Sequence, residues 1–364
     1  MAVTTEPRTG APAAGSSLRG RKLPIYAVLA FPAAAVLITL LLWATTGFAG
    51  RAGFVVFAVL LFAALQTAVS FSIEGRRQAV NRLFTTLVTV AFLLAAAPLV
   101  LIVWYTVAKG AGALSGTFLT HSMFRIDPSG PGGGIYHAII GTLIQSLLAT
   151  VIAAPLGVLA AVYLVEYGGG RRFARAVSLF VDVMTGVPSI VAGLFIYAFW
   201  ILALGFQKSG FAGSLALLIL MLPVIIRSSE EMLKLVPNDL REASYALGVP
   251  KWRTILRVVL PTALGGIVTG IMLGVARIMG ETAPLLLLVG INQRIEFNPF
   301  AGTAEQVPQE SLPTFIFEQF QLAVGNTDSE PFKRAWGAAL VLIIIIGLLS
   351  ALARLLARLA RVRG

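Results

Sequence analysis

PNDLREASYALGVPKWRTILRVVLP, residues 237–261, is the polar stretch that decides how the chain is organised, because it separates two long apolar runs. Gly248 is typical of a helix end, Pro250 suits the first turn of a second helix, and Pro261 ends that helix where the next apolar run begins. The stretch therefore predicts two short amphipathic helices joined by a Gly-Val-Pro bend, here called the polar hairpin. Such a hairpin either lies on lipid headgroups or transmits the motion of a soluble partner to the apolar helices, and these residues alone leave both open.

The composition around this hairpin is that of an integral membrane protein. Of the 364 residues, 57% are hydrophobic and 12% are charged, with a mean hydropathy of +0.88. Soluble domains have about 45 to 50% apolar and about 25% charged residues. These values exclude a soluble enzyme, a disordered regulator and a nucleic-acid-binding domain, although the net charge is +12. The sequence has no cysteine, and its two histidines, His121 and His137, lack neighbours at ligand spacing, so no metal site is predicted.

The apolar runs are long and continuous, which predicts helices rather than strands. A helix needs about 20 apolar residues to cross the hydrocarbon core, and eight runs approach or exceed that length. They are residues 25–47, 53–73, 83–108, 137–165, 176–204, 211–227, 262–290 and 335–357. The sequence thus predicts an all-α polytopic membrane protein, preceded by a disordered basic tail over residues 1–24.

Basic residues divide unevenly between the two sides of the predicted spans. Counted by alternate segments, 19 lie on the side of the termini and 7 on the other, and only Arg227 and Arg277 fall within or at the edge of spans. Cytoplasmic loops carry the excess of Lys and Arg, so both termini and the polar hairpin are predicted to be cytoplasmic. Residues 291–335 then form an external loop.

The polar hairpin also resembles a known motif. Its matching residues are Glu242, Ala243, Ser244 and, after three residues, Gly248, and then, after nine more, Val258, Val259, Leu260 and Pro261. This pattern is similar to the EAA loop of ABC importer permeases, with conservative departures at Ser244 and Val258. The resemblance implies that the loop docks into a groove on a cytoplasmic ATPase, with residues 242–248 as the coupling helix and turn.

Further stretches resemble the phosphate-specific, PstA-type branch of these permeases. They are GGGIYHAIIGTL (132–143), PLGVLAAVYLVEY (155–167), DVMTGVPSIVAGLFIY (182–197), LPVIIRSSEEMLKLVPNDLREASYALG (222–248) and ARIMGETAPLL (276–286). The resemblance implies a type I, MetI-like importer permease core of six transmembrane helices over residues 83–357, in a bacterial cytoplasmic membrane. Residues 25–73 fall outside that core and are predicted to be an extra N-terminal transmembrane hairpin.

The resemblance also implies partners. They are a PstB-like ABC ATPase dimer that binds ATP and Mg, a second related, PstC-like permease that makes a heterodimer, and an external PstS-like phosphate-binding protein. The chain itself is predicted to be a transport subunit without catalytic residues or a cofactor, since its Gly-rich residues 130–134 lack the Lys and Ser/Thr of a nucleotide loop. Two alternatives stay open. One is the same type of ABC importer carrying molybdate or sulfate, and the other is an ion-coupled secondary transporter whose match to the EAA motif is accidental.

Two charges in the seventh predicted span suggest a substrate site. Arg277 and Glu281 are four residues apart, so an unbroken helix places them on one face. Gly266, Gly270 and Gly274 precede them at the same spacing, a pattern that permits close helix packing. An Arg at the centre of a span costs about 2.5 to 3.5 kcal/mol, so this stripe is predicted to face a helix seam or a pore. Arg277 is predicted to bind an oxyanion, with Glu281 as its neutralising partner and as an acceptor for the proton that monohydrogen phosphate keeps and sulfate lacks. The alternative is a purely structural pair.

Three other charges have competing interpretations. The resemblance places Arg227 at a second intramembrane Arg of the family, on the substrate pathway, whereas the residues alone also fit an interfacial Arg that reaches the headgroups. Asp182 is predicted either to pair with an Arg or to cap a helix. Glu166 is predicted to be an interfacial acid near Arg171 and Arg172.

Overall fold

The computed structural model describes residue 23 and residues 26–46, 50–302 and 307–362. Within these ranges every regular element is helical and no strand is found, so the predicted all-α class is confirmed. The predicted tail, residues 1–24, lies outside the described residues except for Leu23. The chain divides into two compact units between Val103 and Trp104.

The N-terminal unit contains α1 (Ala27–Thr46), α2 (Arg51–Glu74) and the first part of α3 (Arg76–Gly110). α1 packs against α2. Gly75 has a φ of 88°, a left-handed conformation that glycine adopts readily, and this residue alone separates α2 from α3. Arg82 donates two hydrogen bonds to the carboxylate of Glu74, at 2.6 and 2.8 Å, and these bonds fix the turn.

The second unit contains the remaining helices. They are α4 (Gly116–Thr120), α5 (Tyr136–Val162), α6 (Arg172–Thr185), α7 (Ser189–Ile196), α8 (Gly210–Lys234), α9 (Asn238–Ala246), α10 (Lys251–Thr254), α11 (Leu260–Ile278), α12 (Ala283–Leu288), α13 (Leu312–Leu322) and α14 (Glu330–Val362). Wide π-helical turns extend α5 over Tyr163–Tyr167 and α7 over Tyr197–Ala203, and a third, Ile255–Val259, joins α10 to α11.

α8 is the central helix of this unit. It packs mainly against α5 and α11, and 61% of its most apolar window is buried, against at most 39% for the other long apolar helices. α5 runs from His137, beside Glu310, to Glu166, beside Arg241, so it connects two opposite ends of the bundle. The end that carries α4, α12 and α13 is called the loop end, and the end that carries α9 and α10 is called the hairpin end.

Six helical segments in the described ranges are long and apolar enough to cross a membrane. They are Gly53–Glu74, Arg76–Ala113, Tyr136–Tyr167, Gly210–Lys234, Lys251–Ile278 and Glu330–Leu355. The predicted span 176–204 is instead a broken pair, Arg172–Thr185 and Ser189–Ala203, bent by 108°, and it makes a seventh span if the pair is counted as one. α1 occupies the predicted span 25–47, but its apolar part, Ala30–Thr45, is shorter than the others.

The predicted helix end at Pro261 is wrong. Residues Lys251–Ile278 form one helical span, and the hairpin continues into α11 without a break. Proline lacks an N–H and crowds the carbonyl four residues earlier. The π-helical turn at Ile255–Val259 is wider than an α-helical turn and therefore accommodates the proline.

The predicted continuous span 262–290 is also wrong, because the helix stops at Ile278. The chain turns over the next residues and resumes as α12 at Ala283. Gly280 has a low helix propensity, and Pro284 disfavours a helical conformation at the residue before it. Two helix breakers within five positions end the span early and leave the rest of the run at the loop end.

Candidate functional site

Arg277 lies in the last turn of α11, next to the break between α6 and α7. Its side chain lines a cavity of about 100 Å³. The other lining residues are Met184, Thr185 and Val187 from the break, and Leu220, Pro223 and Val224 from α8. Arg277 is exposed, and within the described part of the chain its guanidinium has neither an ion pair nor a hydrogen bond. A charged, bidentate donor is therefore free to bind an anion at this bend.

Glu281 is not brought into the predicted pair with Arg277. α11 ends at Ile278, and the Glu281 N–H donates to the Ile278 carbonyl at 3.1 Å in the turn that follows. The spacing of four residues places two side chains on one face only while the helix continues. The predicted neutralising partner is thus absent from the site in this conformation.

The predicted glycine stripe of α11 faces α8. A Cβ atom at Gly270 would overlap the Ser228 hydroxyl, and one at Gly266 would overlap Met232. At Gly274 the nearest atom is Cγ of Met221, 3.1 Å from where a Cβ would stand. The three glycines therefore let the helix that carries Arg277 approach the central helix closely.

Arg227 is fully engaged, unlike Arg277. Its guanidinium contacts the carboxylates of Asp182 and Glu230 at 2.5 Å and donates to the carbonyl and hydroxyl of Ser178 at 2.9 Å. α8 continues beyond it to Lys234, so the predicted helix end at 227 is wrong. The structure places Arg227 between α6 and α8, with Asp182 as a partner, where it ties the first half of the broken span to the central helix.

The polar hairpin presents a mostly exposed surface. Ser244, which departs from the motif, is buried, and its hydroxyl lies 2.8 Å from that of Thr254, so the pair joins the two hairpin helices. Gly248 has a φ of 74° and makes the bend. Glu242 and Ala243 are exposed, as is Pro261, while Leu260 is half-buried. Large apolar side chains are exposed around the bend; they are Leu240, Tyr245, Leu247 and Trp252.

Glu166 pairs with a residue of the hairpin instead of with its neighbours in sequence. Arg241 of α9 contacts its carboxylate at 2.9 Å. The predicted location near Arg171 and Arg172 stays a prediction, and the partner of Glu166 is Arg241. A salt bridge formed across 75 residues of sequence is not detectable from local spacing.

A buried acidic cluster at the loop end was not predicted. Glu310 is 1% exposed, accepts a hydrogen bond from the Asn292 N–H at 3.0 Å, and lies 3.4 Å from Nε2 of His137. Burial raises the pKa of Glu310 well above its ordinary value. Burial and the neighbouring Glu310 raise the pKa of Glu318 to about 7, against the opposing charges of His137 and Arg334.

This cluster predicts a pH-dependent stability. The folded state holds the Glu318 proton with a pKa of about 7 against an ordinary 4.5, so the stability conferred by this proton is complete below pH 4.5 and is lost as the pH rises through 7. We expect the unfolding temperature, measured by intrinsic fluorescence, to fall over this interval in wild type and to fall less in Glu318→Gln. Asp328→Asn, an exposed acid of the same loop, is the control. An equal fall in Glu318→Gln and wild type would contradict the prediction.

Comparison with known proteins identifies a family and several similar proteins. The profile of the family described as "Binding-protein-dependent transport system inner membrane component" matches residues 153–363. "Phosphate transport system permease protein PstA 1" of Mycobacterium tuberculosis (strain CDC 1551 / Oshkosh) is 50% identical over 272 residues, which are 74% of this chain and 86% of that protein. The PstA protein of Yersinia pestis is 39% identical over 283 residues, 78% of this chain and 92% of that protein.

Among solved structures, a chain of the inward-facing MetNI methionine ABC transporter aligns with a TM-score of 0.47 and 20% identity. The alignment covers 62% of this chain and 94% of that one. The sequence matches are the stronger finding, since two of them extend over about three quarters of the chain.

Proposed function

The chain belongs to the family of binding-protein-dependent transport system inner membrane components, and from that premise we propose how it conducts its substrate. It is a multi-pass protein of the cytoplasmic membrane and the permease subunit of an ABC-type phosphate importer. As a transport subunit it moves its substrate without converting it.

The observation that carries the proposed substrate site is the free guanidinium of Arg277. An unpaired Arg in a spanning helix is costly and marks a substrate path by default. The cavity beside it measures about 100 Å³, and since one water needs only about 10 to 15 Å³ of space measured in this way, the cavity is large enough for a small oxyanion. We propose that Arg277 binds phosphate through two parallel N–H···O bonds as the anion passes the break between α6 and α7.

The other two predicted pathway residues, Arg227 and Glu281, have different roles. The guanidinium of Arg227 already donates hydrogen bonds to Asp182, Glu230 and Ser178, so we propose that it holds the broken span in place rather than binding substrate. A role for Glu281 in selecting monohydrogen phosphate over sulfate stays a prediction. Unchanged preference for phosphate in Glu281→Gln would rule that role out.

We propose that the polar hairpin couples the permease to ATP hydrolysis. Leu247 is 84% exposed and, with the other apolar side chains at the bend, forms the kind of surface that marks a protein interface. Its proposed partner is a PstB-like ATPase dimer that binds ATP and Mg. A PstC-like permease completing the pore and a PstS-like external phosphate-binding protein complete the proposed assembly.

Uptake of labelled phosphate into proteoliposomes that hold the chain with these partners tests the function. We expect uptake that requires ATP and that unlabelled phosphate, but neither sulfate nor molybdate, competes away. Competition by another oxyanion would show that the importer carries a different substrate, without contradicting ATP-driven import. Uptake indifferent to ATP would refute the importer and favour ion-coupled transport.

A further inference from the structure

The polar hairpin is fastened to the end of α5 by a buried ion pair. Arg241 of α9 donates from Nε and Nη2 to one oxygen of Glu166, at 3.0 and 2.9 Å. The two side chains are 13% and 5% exposed. Water screens a buried pair less than an exposed one, so this contact is strong and its geometry is constrained.

The same guanidinium also binds the end of α8. It donates to the backbone carbonyls of Leu233 at 3.0 Å and Val236 at 2.6 Å. The last carbonyls of a helix have no partner within the helix, so Arg241 caps α8 while it holds α5. One side chain therefore links the hairpin to both of these spanning helices.

The second helix of the hairpin reaches the same point on α5. Lys251 donates to the backbone carbonyl of Glu166, and its Nζ lies 5.0 Å from the ring centroid of Tyr167, within cation–π range. The contacted segment, Tyr163–Tyr167, is the π-helical turn that extends α5. Such turns occur frequently at functional positions. Both hairpin helices thus contact the last turn of α5.

α11 and α5 are attached to the hairpin in different ways. α11 continues from it through the turn Ile255–Val259, so any displacement of the hairpin acts directly on the helix that carries Arg277. α5 is distant in sequence and contacts the hairpin through the side chains of Arg241 and Lys251, and through the apolar cluster that buries Ala161 and Val162 with Ile255 and Val259. Tyr136–Tyr167 is a continuous span whose far end lies at the loop end, beside Glu310.

We propose that Arg241 and Glu166 are positioning residues that transmit the movement of the hairpin to α5, so that α5 and α11 move together during transport. The proposal rests on the proposed function, in which an ATPase moves the hairpin. Without the pair, α5 keeps the Lys251 contact and the apolar packing, which do not hold its end in a fixed geometry, so α5 follows the hairpin less closely than α11 does. The pathway at Arg277 then opens without a matching rearrangement at the loop end, and ATP is hydrolysed without transport.

The test uses Arg241→Met, Glu166→Ala and the double variant in the complete importer, reconstituted in proteoliposomes. The measured quantity is phosphate taken up per ATP hydrolysed, normalised to assembled complex. Each single variant is expected to lower this ratio about tenfold, and the double variant is expected to lower it no further, since the two residues act as a unit. Lys333→Met is the matched control, because it removes an exposed ion pair within α14 that joins no two elements, and it should leave the ratio unchanged.

Two results would overturn the proposal. One is an unchanged ratio in fully assembled variants. The other is a parallel loss of uptake, ATP hydrolysis and assembly, which would show that the pair only supports folding.

A second readout separates this proposal from the identity of the cargo. Hydrogen–deuterium exchange of residues 163–167 and 238–246 is compared between the nucleotide-free and ATP-trapped complex. Both segments should change in wild type, and the change in 163–167 should be clearly smaller in Arg241→Met while that in 238–246 is kept. A change in 163–167 as large in the variant as in wild type would refute transmission through the pair. If the ATP-driven complex carries another anion, the phosphate assignment is refuted. The exchange measurement still shows whether the pair transmits the movement of the hairpin to α5.

Discussion

Replacing Arg277 by alanine is expected to lower phosphate uptake by the assembled importer at least about a hundredfold, because two hydrogen bonds to a charged group, at about 1.5 kcal/mol or more each, are lost from the bound anion. The guanidinium has no partner of its own within the described residues, so its removal leaves no buried charge unpaired. Assembly with the ATPase should therefore be retained. Initial rates of labelled phosphate uptake at low phosphate measure the effect.

Two comparison variants make this result specific. Arg277→Lys keeps the charge but not the planar pair of donors, so its uptake should fall between wild type and Arg277→Ala. Arg227→Ala should instead lower the yield and unfolding temperature of the complex, since it leaves Asp182 and Glu230 without their cation. Wild-type uptake in Arg277→Ala would place the anion path elsewhere in the bundle.

Replacing Leu247 by aspartate is expected to weaken binding of the ATPase at least about thirtyfold, since a central interface side chain contributes about 2 kcal/mol or more. Leu247 is the most exposed large apolar residue of the hairpin, at 84%, and it follows the last turn of α9 directly. An aspartate here buries a charge at the interface, and Val324, which also follows a helix C-terminus, provides a control for the effect of a negative charge at such an end. The amount of ATPase that copurifies with the permease, and ATP-dependent uptake, should fall together.

Val324→Asp is the matched control for this change. Val324 is 79% exposed, but it lies in the turn after α13, at the loop end. The substitution should leave the copurified ATPase unchanged. Equal retention of the ATPase by Leu247→Asp and wild type would show that the exposed bend is not the docking surface, and would favour a hairpin that lies on lipid.

Much of the architecture is predictable because membrane spans obey a simple length rule. Six of the eight predicted runs overlap long apolar helices, and Gly248 and Pro250 correctly predict the bend of the hairpin. Two of the wrong helix ends have identifiable signals. Gly280 and Pro284 predict a helix break, but the residues around them are so apolar that the run reads as one continuous span. Pro261 does not end its helix, because the wider π-helical turn before it accommodates a residue without an N–H.

The candidate site is less predictable, because its decisive contacts are long-range. Arg227 and Asp182 are 45 residues apart in sequence, and Arg241 and Glu166 are 75 apart. Spacing along a helix identifies neighbours three or four residues away, so it gives Arg277 an incorrect partner and gives Arg241 none. α13 is different, since Ser311, Pro313 and Thr314 form a helix start that local rules recognise inside the predicted loop.

The break between α6 and α7 has a consequence for water. A continuous helix satisfies its backbone internally, whereas each helix end leaves N–H or C=O groups without partners. The bend of 108° places two such ends within one span, and an unsatisfied backbone group in hydrocarbon costs several kcal/mol. Irregular backbone at membrane depth is stable only where protein or water solvates it. We therefore expect the bend beside Arg277 to be hydrated, so that phosphate on the proposed path exchanges its hydration shell gradually instead of entering hydrocarbon.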